Sequence, residues 1–256
     1  MPVRQPGLRE PVPGILPRGH PHSAQQKEMH VGLVRPNSLS ATLDAIDEAI
    51  FLRKALPKPQ REEAATWIAS RQGLPGSYAG MFAPTQADMK DGINVFTGEK
   101  VRTGAATRHI LGEDACRALI LLRSPRPDVR EALKRATEGM MARLTKDRGR
   151  SYGVYCCGVC SVSFWRHLAA GGLDDAAGRL DAGMGELKHH RMGNGQWRRF
   201  PFFYTLLALS EMNLPSARAE MRYAAPVCQR YLKQAPVTGR FTERRRALAQ
   251  RILGKV

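Results

Sequence analysis

Trp67-Ile68-Ala69-Ser70-Arg71-Gln72-Gly73-Leu74-Pro75-Gly76-Ser77-Tyr78 is the stretch whose reading decides the fold. An aliphatic residue, a long polar residue one helical turn later, a glycine and then an aromatic describe one event. A helix ends, a polar side chain holds its last turn, glycine turns the chain and the aromatic plugs the corner. The spacing recurs. Leu187-x3-Arg191-x3-Gly195-x-Trp197 repeats it with every marked position displaced by 119 residues, and Leu144-x3-Arg148-x4-Gly153-x-Tyr155 is a looser copy between them. Leu144 and Leu187 stand 43 residues apart, which suits one helix pair per unit, since helical repeats run about 34–47 residues.

The three copies resemble the QW motif of the terpenoid cyclases and protein prenyltransferases, with Tyr78 where tryptophan is usual and Arg191 in place of glutamine. The resemblance covers roughly residues 60–235. It implies an all-α fold, an α/α toroid in which the motif joins helices of an outer and an inner ring. Residues 40–256 have room for about five helix pairs at ~43 residues each, fewer than a full family ring, so an incomplete ring is expected. It also implies an apolar or isoprenoid-like small molecule held in a central cavity.

The family's catalytic sets do not carry over. Protein prenyltransferases have an Asp-Gly-Cys-Tyr-Ser-Phe-Trp stretch and a later Tyr-His-Thr stretch that supply zinc ligands. Aligned on Ser163-Phe164-Trp165 and on Thr205, those ligands fall on Ser161, Val159 and Tyr204. The cyclase Asp-x-Asp-Asp motif is also absent. Transferase- or cyclase-like chemistry is therefore an open question for this chain.

Several candidate site residues remain. Tyr204 and His109 are the candidate catalytic residues; a neutral imidazole at His109, beside Arg108, would ligate metal or act as a base. Tyr155, Trp165 and Phe202 are candidates for the aromatic wall of an isoprenoid pocket. Arg198 is a candidate grip on a diphosphate, because a planar guanidinium pairs phosphate oxygens bidentately. Cys157 and Cys160 form a Cys-x2-Cys, which offers two zinc ligands from one turn. Its further donors would come from His109, His189, His190 or Cys116. The alternatives are a redox pair or plain packing, since free cysteine is among the most buried residue types.

The remaining sequence frames these candidates. Residues 1–39, with seven prolines and little apolar pattern, read as a disordered leader. Ser40 is read as the cap of the first helix. Residues 79–102 are glycine-rich and irregular, and a stretch of that kind inside a domain is usually functional. It is expected to cover one mouth of the cavity, with Glu99 or Arg102 pointing inward. Almost nothing alternates with period two, so nearly all regular structure should be helical.

The five cysteines, with no secretory signal at the N-terminus, suggest a cytoplasmic location. The net charge is +17, and residues 215–256 hold ten Lys or Arg against two acids. A basic C-terminal helix over 240–253 would suit nucleic acid or an anionic membrane surface, through residues 218–251. A non-catalytic peptide- or protein-binding helical module is the other alternative. Neither a helix-turn-helix nor an aromatic–basic sheet motif favours nucleic acid. The oligomeric state is not legible.

Overall fold

Apolar periodicity of the helical kind dominates the chain, and the computed structural model is helical throughout. It describes residues 32–146, 152–234 and 238–256. Ten helices occur among the described residues, in chain order α1 (Leu39–Phe51), α2 (Lys58–Ala69), α3 (Gln86–Asp91), α4 (Gly104–Leu122), α5 (Pro127–Lys146), α6 (Gly158–Ala169), α7 (Ala176–His189), α8 (Phe202–Glu211), α9 (Pro215–Gln234) and α10 (Arg240–Leu253). No strand occurs among them; only isolated bridges such as Gln72 to Phe82 and Arg191 to Trp197 are present.

Two kinds of helix are present. Every residue from Cys160 to Leu168 in α6 and from Tyr204 to Ser210 in α8 is buried. A helix apolar on all sides belongs inside. In α5, by contrast, only Val129, Ala132, Ala136 and Met140 are buried, a single stripe at helical spacing that faces one way. The packing follows from this difference. Helix α4 packs on α1 and α6, α6 on α8, and α8 on α10, while α2, α5, α7 and α9 cover them from outside the run. Arginines complete the link from α10 to α1: Arg244 donates to both Asp44 oxygens at 2.7 and 2.9 Å, and Arg251 Nη2 donates to the Phe51 carbonyl at 2.6 Å.

Helix α1 starts two residues earlier than a cap at Ser40 would give. Ser38, not Ser40, is the cap, its Oγ accepting from Ala41 N at 2.9 Å. The leader expected over 1–39 lies outside the described residues as far as 31. Residues 32–39 belong to the fold, with Leu33 and Leu39 buried and Asn37 O accepting from Thr85 Oγ1.

The 79–102 segment also differs from the irregular cover expected. Thr85 and Asp88 form a reciprocal capping box that starts α3. The Asp88 carboxylate also accepts from Leu39 N and Ser40 N, so α3 is tied to the start of α1. Met81, Phe82, Ile93, Val95, Phe96 and Val101 are core residues. Their burial places these six side chains in the hydrophobic core, while Lys90, Asp91, Gly92, Asn94 and Lys100 are exposed.

The first and third corners are real turns; Arg148 of the middle one lies outside the described residues, and the three are not alike. Gly76 and Gly195 lie outside helices with φ of 89° and 87°. Gly153 has no such backbone angle; there glycine is needed for space, because a Cβ would sit 2.0 Å from the Gly183 nitrogen of α7. The first two corners converge: the rings of Tyr78 and Tyr155 both pack on His109, with centroids at 4.8 and 4.2 Å, and their hydroxyls pair. The third stands apart, its Trp197 Nε1 donating to Glu220 at 2.9 Å.

At Gly195 a Cβ would meet Val227 Cγ2 at 2.6 Å and Tyr223 O at 3.2 Å, whereas at Gly76 it would meet only Arg108 Nε at 3.8 Å. Left-handed strain applies to both, at about 1–2 kcal/mol. Overpacking adds roughly 1–3 kcal/mol at the first position alone. Gly195→Ala should therefore cost clearly more than Gly76→Ala in urea unfolding. Equal costs would show that the third corner can move away from α9.

Candidate functional site: a thiol–imidazole cluster and a buried charge network

The sequence around the second corner places three thiols at the start of α6. Cys157 is the N-cap, in extended backbone, and Ser161 Oγ ties the turn by accepting from Tyr155 N at 2.9 Å and donating to Cys157 O at 2.8 Å. This brings Cys160, one turn in and buried, beside the exposed Cys156 and Cys157. Thiol donation from Cys156 and Cys160 pushes the Cys157 thiol far down, while the same contacts and burial push Cys160 up.

Across from them stands His109 of α4, 1% exposed. The ligand atoms of His109, Cys156 and Cys160 all lie within 4.8 Å of one another. Its Nε2 faces Glu113 Oε1 at 3.1 Å, one helical turn along. Its Nδ1 is buried without a hydrogen-bond partner. Glu113, fully buried, is shared: its other oxygen pairs with His167 Nδ1 of α6. Burial alone would raise Glu113, but His167 and His109 hold it at about 2. A second imidazole nitrogen, His167 Nε2, is also buried without a partner.

Further along the same helices the interior is charged rather than apolar. Arg117 Nη1 donates to Asp47 Oδ1 at 2.5 Å and its Nη2 to Glu211 Oε1 at 2.7 Å. Arg166 Nη2 donates to Asp47 Oδ2 and Glu211 Oε1, both at 3.0 Å. Burial opposes the ionised form of Asp47, yet Arg166 and Arg117 hold it below the usual carboxylate range. Asp114 goes the other way. Burial, with Asp47 nearby, raises it to about 6 against the pull of Arg166 and Arg117. Ser163 Oγ and Tyr204 OH donate to its Oδ1 at 3.1 and 3.4 Å.

Beyond this network lies a cavity of about 240 Å³. Ile50 and Phe51 of α1, Leu121 of α4, Ala169 and Ala170 at the end of α6, Leu207 and Glu211 of α8 and Arg251 of α10 line it, with Phe96 from the 79–102 segment. The late turns of five helices thus meet at one place.

The candidate residues scatter among these sites. His109 and Cys160 come together as expected, with Cys156 rather than Cys157 as their third partner. Tyr204 reaches Asp114 and so shares a carboxylate with Ser163, while Thr205, at the equivalent register, turns its hydroxyl to Pro201 O of its own helix. Tyr155 packs on His109. Trp165 is core: its indole donates to Gly153 O at 2.6 Å and stacks on Phe200. Phe202 packs on Trp197 and Phe203, in neither site.

Two expectations are corrected. Arg198 is exposed on the third corner, because its backbone N–H is held by His190 O and carries the side chain outward. Glu99 accepts from Tyr204 N at 3.2 Å, satisfying the open N-terminus of α8 instead of facing a cavity. All five arginines of α10 make internal contacts, with Asp44, Glu48, Phe96 O, Thr97 O, Leu232 O and Phe51 O. Much of its charge therefore helps to hold the helix in place, while Arg218, Arg222, Arg230 and Lys233 of α9 are exposed.

Glu113, Asp114, Arg117, Arg166, His167, Asp47 and Glu211 were not singled out by sequence reasoning. The signal was present in α4 and α6. Charged residues interrupt helices that are otherwise apolar, and such groups are buried only with partners. No family model, curated protein or solved structure matches the chain.

Because Asp114 is raised in the fold, its burial favours the folded state below the ordinary carboxylate pKa and weakens it as pH rises through about 6. Asp114→Asn keeps an oxygen for Ser163 and Tyr204 but cannot ionise. Its stability relative to the native chain should rise by on the order of 2–3 kcal/mol from pH 4 to pH 7.5. Urea titrations at both pH values measure this, and a pH-independent difference would show that Asp114 ionises freely.

Proposed function

We propose that the chain is an α/α toroid that binds a small amphiphilic molecule where the late turns of its inner helices meet. The toroid is supported by the succession of contacts α1–α4–α6–α8–α10, returned to α1 by Arg244 and Arg251, with α2, α5, α7 and α9 outside it. It is supported also by the corner repeats, which resemble those of the terpenoid cyclases and protein prenyltransferases.

One observation carries the binding reading. The cavity has apolar walls, Ile50, Phe51, Leu121 and Leu207, and the charged side chains of Asp47, Arg117, Arg166 and Glu211 also line it. Binding pockets generally take this form, an apolar surface with a few convergent polar groups. The class of ligand follows from size and charge. Pockets for drug-sized ligands run about 300–1,000 Å³, so 240 Å³ takes something smaller than a long isoprenoid chain. Arg117 and Arg166 are already balanced by Asp47 and Glu211, which leaves little uncompensated charge for a diphosphate. A short branched or linear hydrocarbon ending in a carboxylate or carbonyl fits both constraints.

Isovalerate, prenol and isopentenyl diphosphate separate the three ligand chemistries. Isovalerate at about a hundredfold its Kd should add about 2.7 kcal/mol, a rise of roughly 5–10 °C in Tm. Ala170→Trp, which fills the cavity from its edge, should abolish that rise while leaving the helical circular dichroism intact. Stabilisation by the diphosphate alone, or by none of the three, would refute this reading, as would an Ala170→Trp protein that responds like the native one.

A further inference from the structure

The thiol–imidazole cluster lies at the opposite ends of α4 and α6 from that cavity, and the cavity reading does not absorb it. Three observations there point the same way. The first is convergence: one imidazole of α4 and two sulfurs at the start of α6 have their ligand atoms within 4.8 Å of one another. The second is the orphaned nitrogen. An imidazole buried to 1% exposure with Nδ1 unpartnered loses the hydrogen bond that water would have given it, at about 1–3 kcal/mol. The third is the other nitrogen. His109 Nε2 meets the Glu113 carboxylate at 3.1 Å, and histidines that bind metal almost always give their second ring N–H to such a partner.

We propose that His109 Nδ1, Cys156 Sγ and Cys160 Sγ hold a zinc ion. Zinc accepts nitrogen and sulfur donors at about 2.0–2.3 Å in tetrahedral array, which sets the donors roughly 3.5 Å apart. The ligand atoms of the three residues already lie within 4.8 Å of one another, so the approach still needed is short. The Cys156 and Cys160 thiols give up their protons to solvent as the metal enters, and nothing is oxidised or reduced. With Nδ1 on the metal, Nε2 carries the imidazole proton and donates it to Glu113. Glu113 is in turn fixed by His167 on the other helix. Glu113 is thus a positioning residue that sets the tautomer and the ring plane of the ligand.

The site is closed on one side and open on the other. The rings of Tyr78 and Tyr155 pack against His109, and Cys160 is buried beneath. Cys156 and Cys157 are exposed, so the outer side of the cluster is reached by solvent. Three protein ligands with one open position is the arrangement of zinc centres that act on a bound molecule; structural zinc sites are closed by four. These ligands differ from those transferred by alignment in the prenyltransferase comparison, which fell on Val159, Ser161 and Tyr204 and offered no such set.

The test uses the full chain, purified untagged under reducing conditions and loaded with zinc or with cobalt(II). About one metal per chain is expected by elemental analysis, and the cobalt form should show the thiolate charge-transfer band and the intense visible bands of a tetrahedral site. Cys156→Ser is the decisive variant, because Cys156 is exposed and its loss leaves the core intact. It should weaken zinc binding at least tenfold and reduce the charge-transfer intensity by about half, as one of two thiolates is removed. His109→Ala and Cys160→Ser should lose the metal, while Cys157→Ser and Cys228→Ser, the latter on distant α9, should keep it. Glu113→Gln should weaken binding about 10–100-fold and still give a tetrahedral cobalt spectrum. A native chain that holds no metal after loading, a Cys156→Ser variant that binds as tightly as the native chain, or loss of metal in Cys157→Ser would each overturn the assignment.

Discussion

Two arginines inside the protein govern how its helices meet. Arg117 on α4 and Arg166 on α6 each bridge Asp47 on α1 and Glu211 on α8, so four helices distant in sequence are joined through four side chains. Ion pairs this far from water contribute little net stability, because desolvation offsets their attraction. Their effect is on specificity. Removing any one member would strand a buried charge at a cost of about 3–5 kcal/mol, so each helix must keep the rotation and the axial position that delivers its charge. The same constraint explains why the interior is not an apolar sleeve, and why the cavity beyond it has arginine and carboxylate in its lining.

Helix α4 is the element that both sites share. Within three turns it presents His109 to the thiols, Glu113 to His167, Asp114 to Ser163 and Tyr204, and Arg117 to the ion network. Such a helix must be surrounded, and the neighbours α1 and α6 along its length supply the partners. The two sites are therefore mechanically linked by one rigid rod but face opposite ends of it. Helix α10 plays a complementary part. Its arginines hold α1 and the Phe96 segment through Asp44, Glu48 and main-chain carbonyls, and the stacking of Arg244 on Phe96 at 4.0 Å adds an apolar contact to the same anchor.

Much of this organisation was legible beforehand. The period of the apolar residues gave the helices, the corner repeats gave the turns at Gly76 and Gly195, and Cys160 with His109 was within reach of a ligand argument. The short helix α3 was missed because its signal is a capping box inside a glycine-rich stretch, and six residues are too few to show a period. The partners of the arginines in 240–253 were not legible for a different reason. That segment holds five arginines against one acid, and the carboxylates and carbonyls they meet lie between 14 and 200 residues earlier in the chain.

The sequence by itself determined that the chain is helical and where its corners turn, because these depend on neighbours within a turn or two. The tertiary structure alone decided that Cys156 rather than Cys157 joins Cys160 and His109, that Glu113 serves two histidines, and that Asp47 answers arginines on two other helices. Those pairings depend on the rotation of one helix against the next. Rotation is set by packing and buried charge across the whole fold, which no local pattern records.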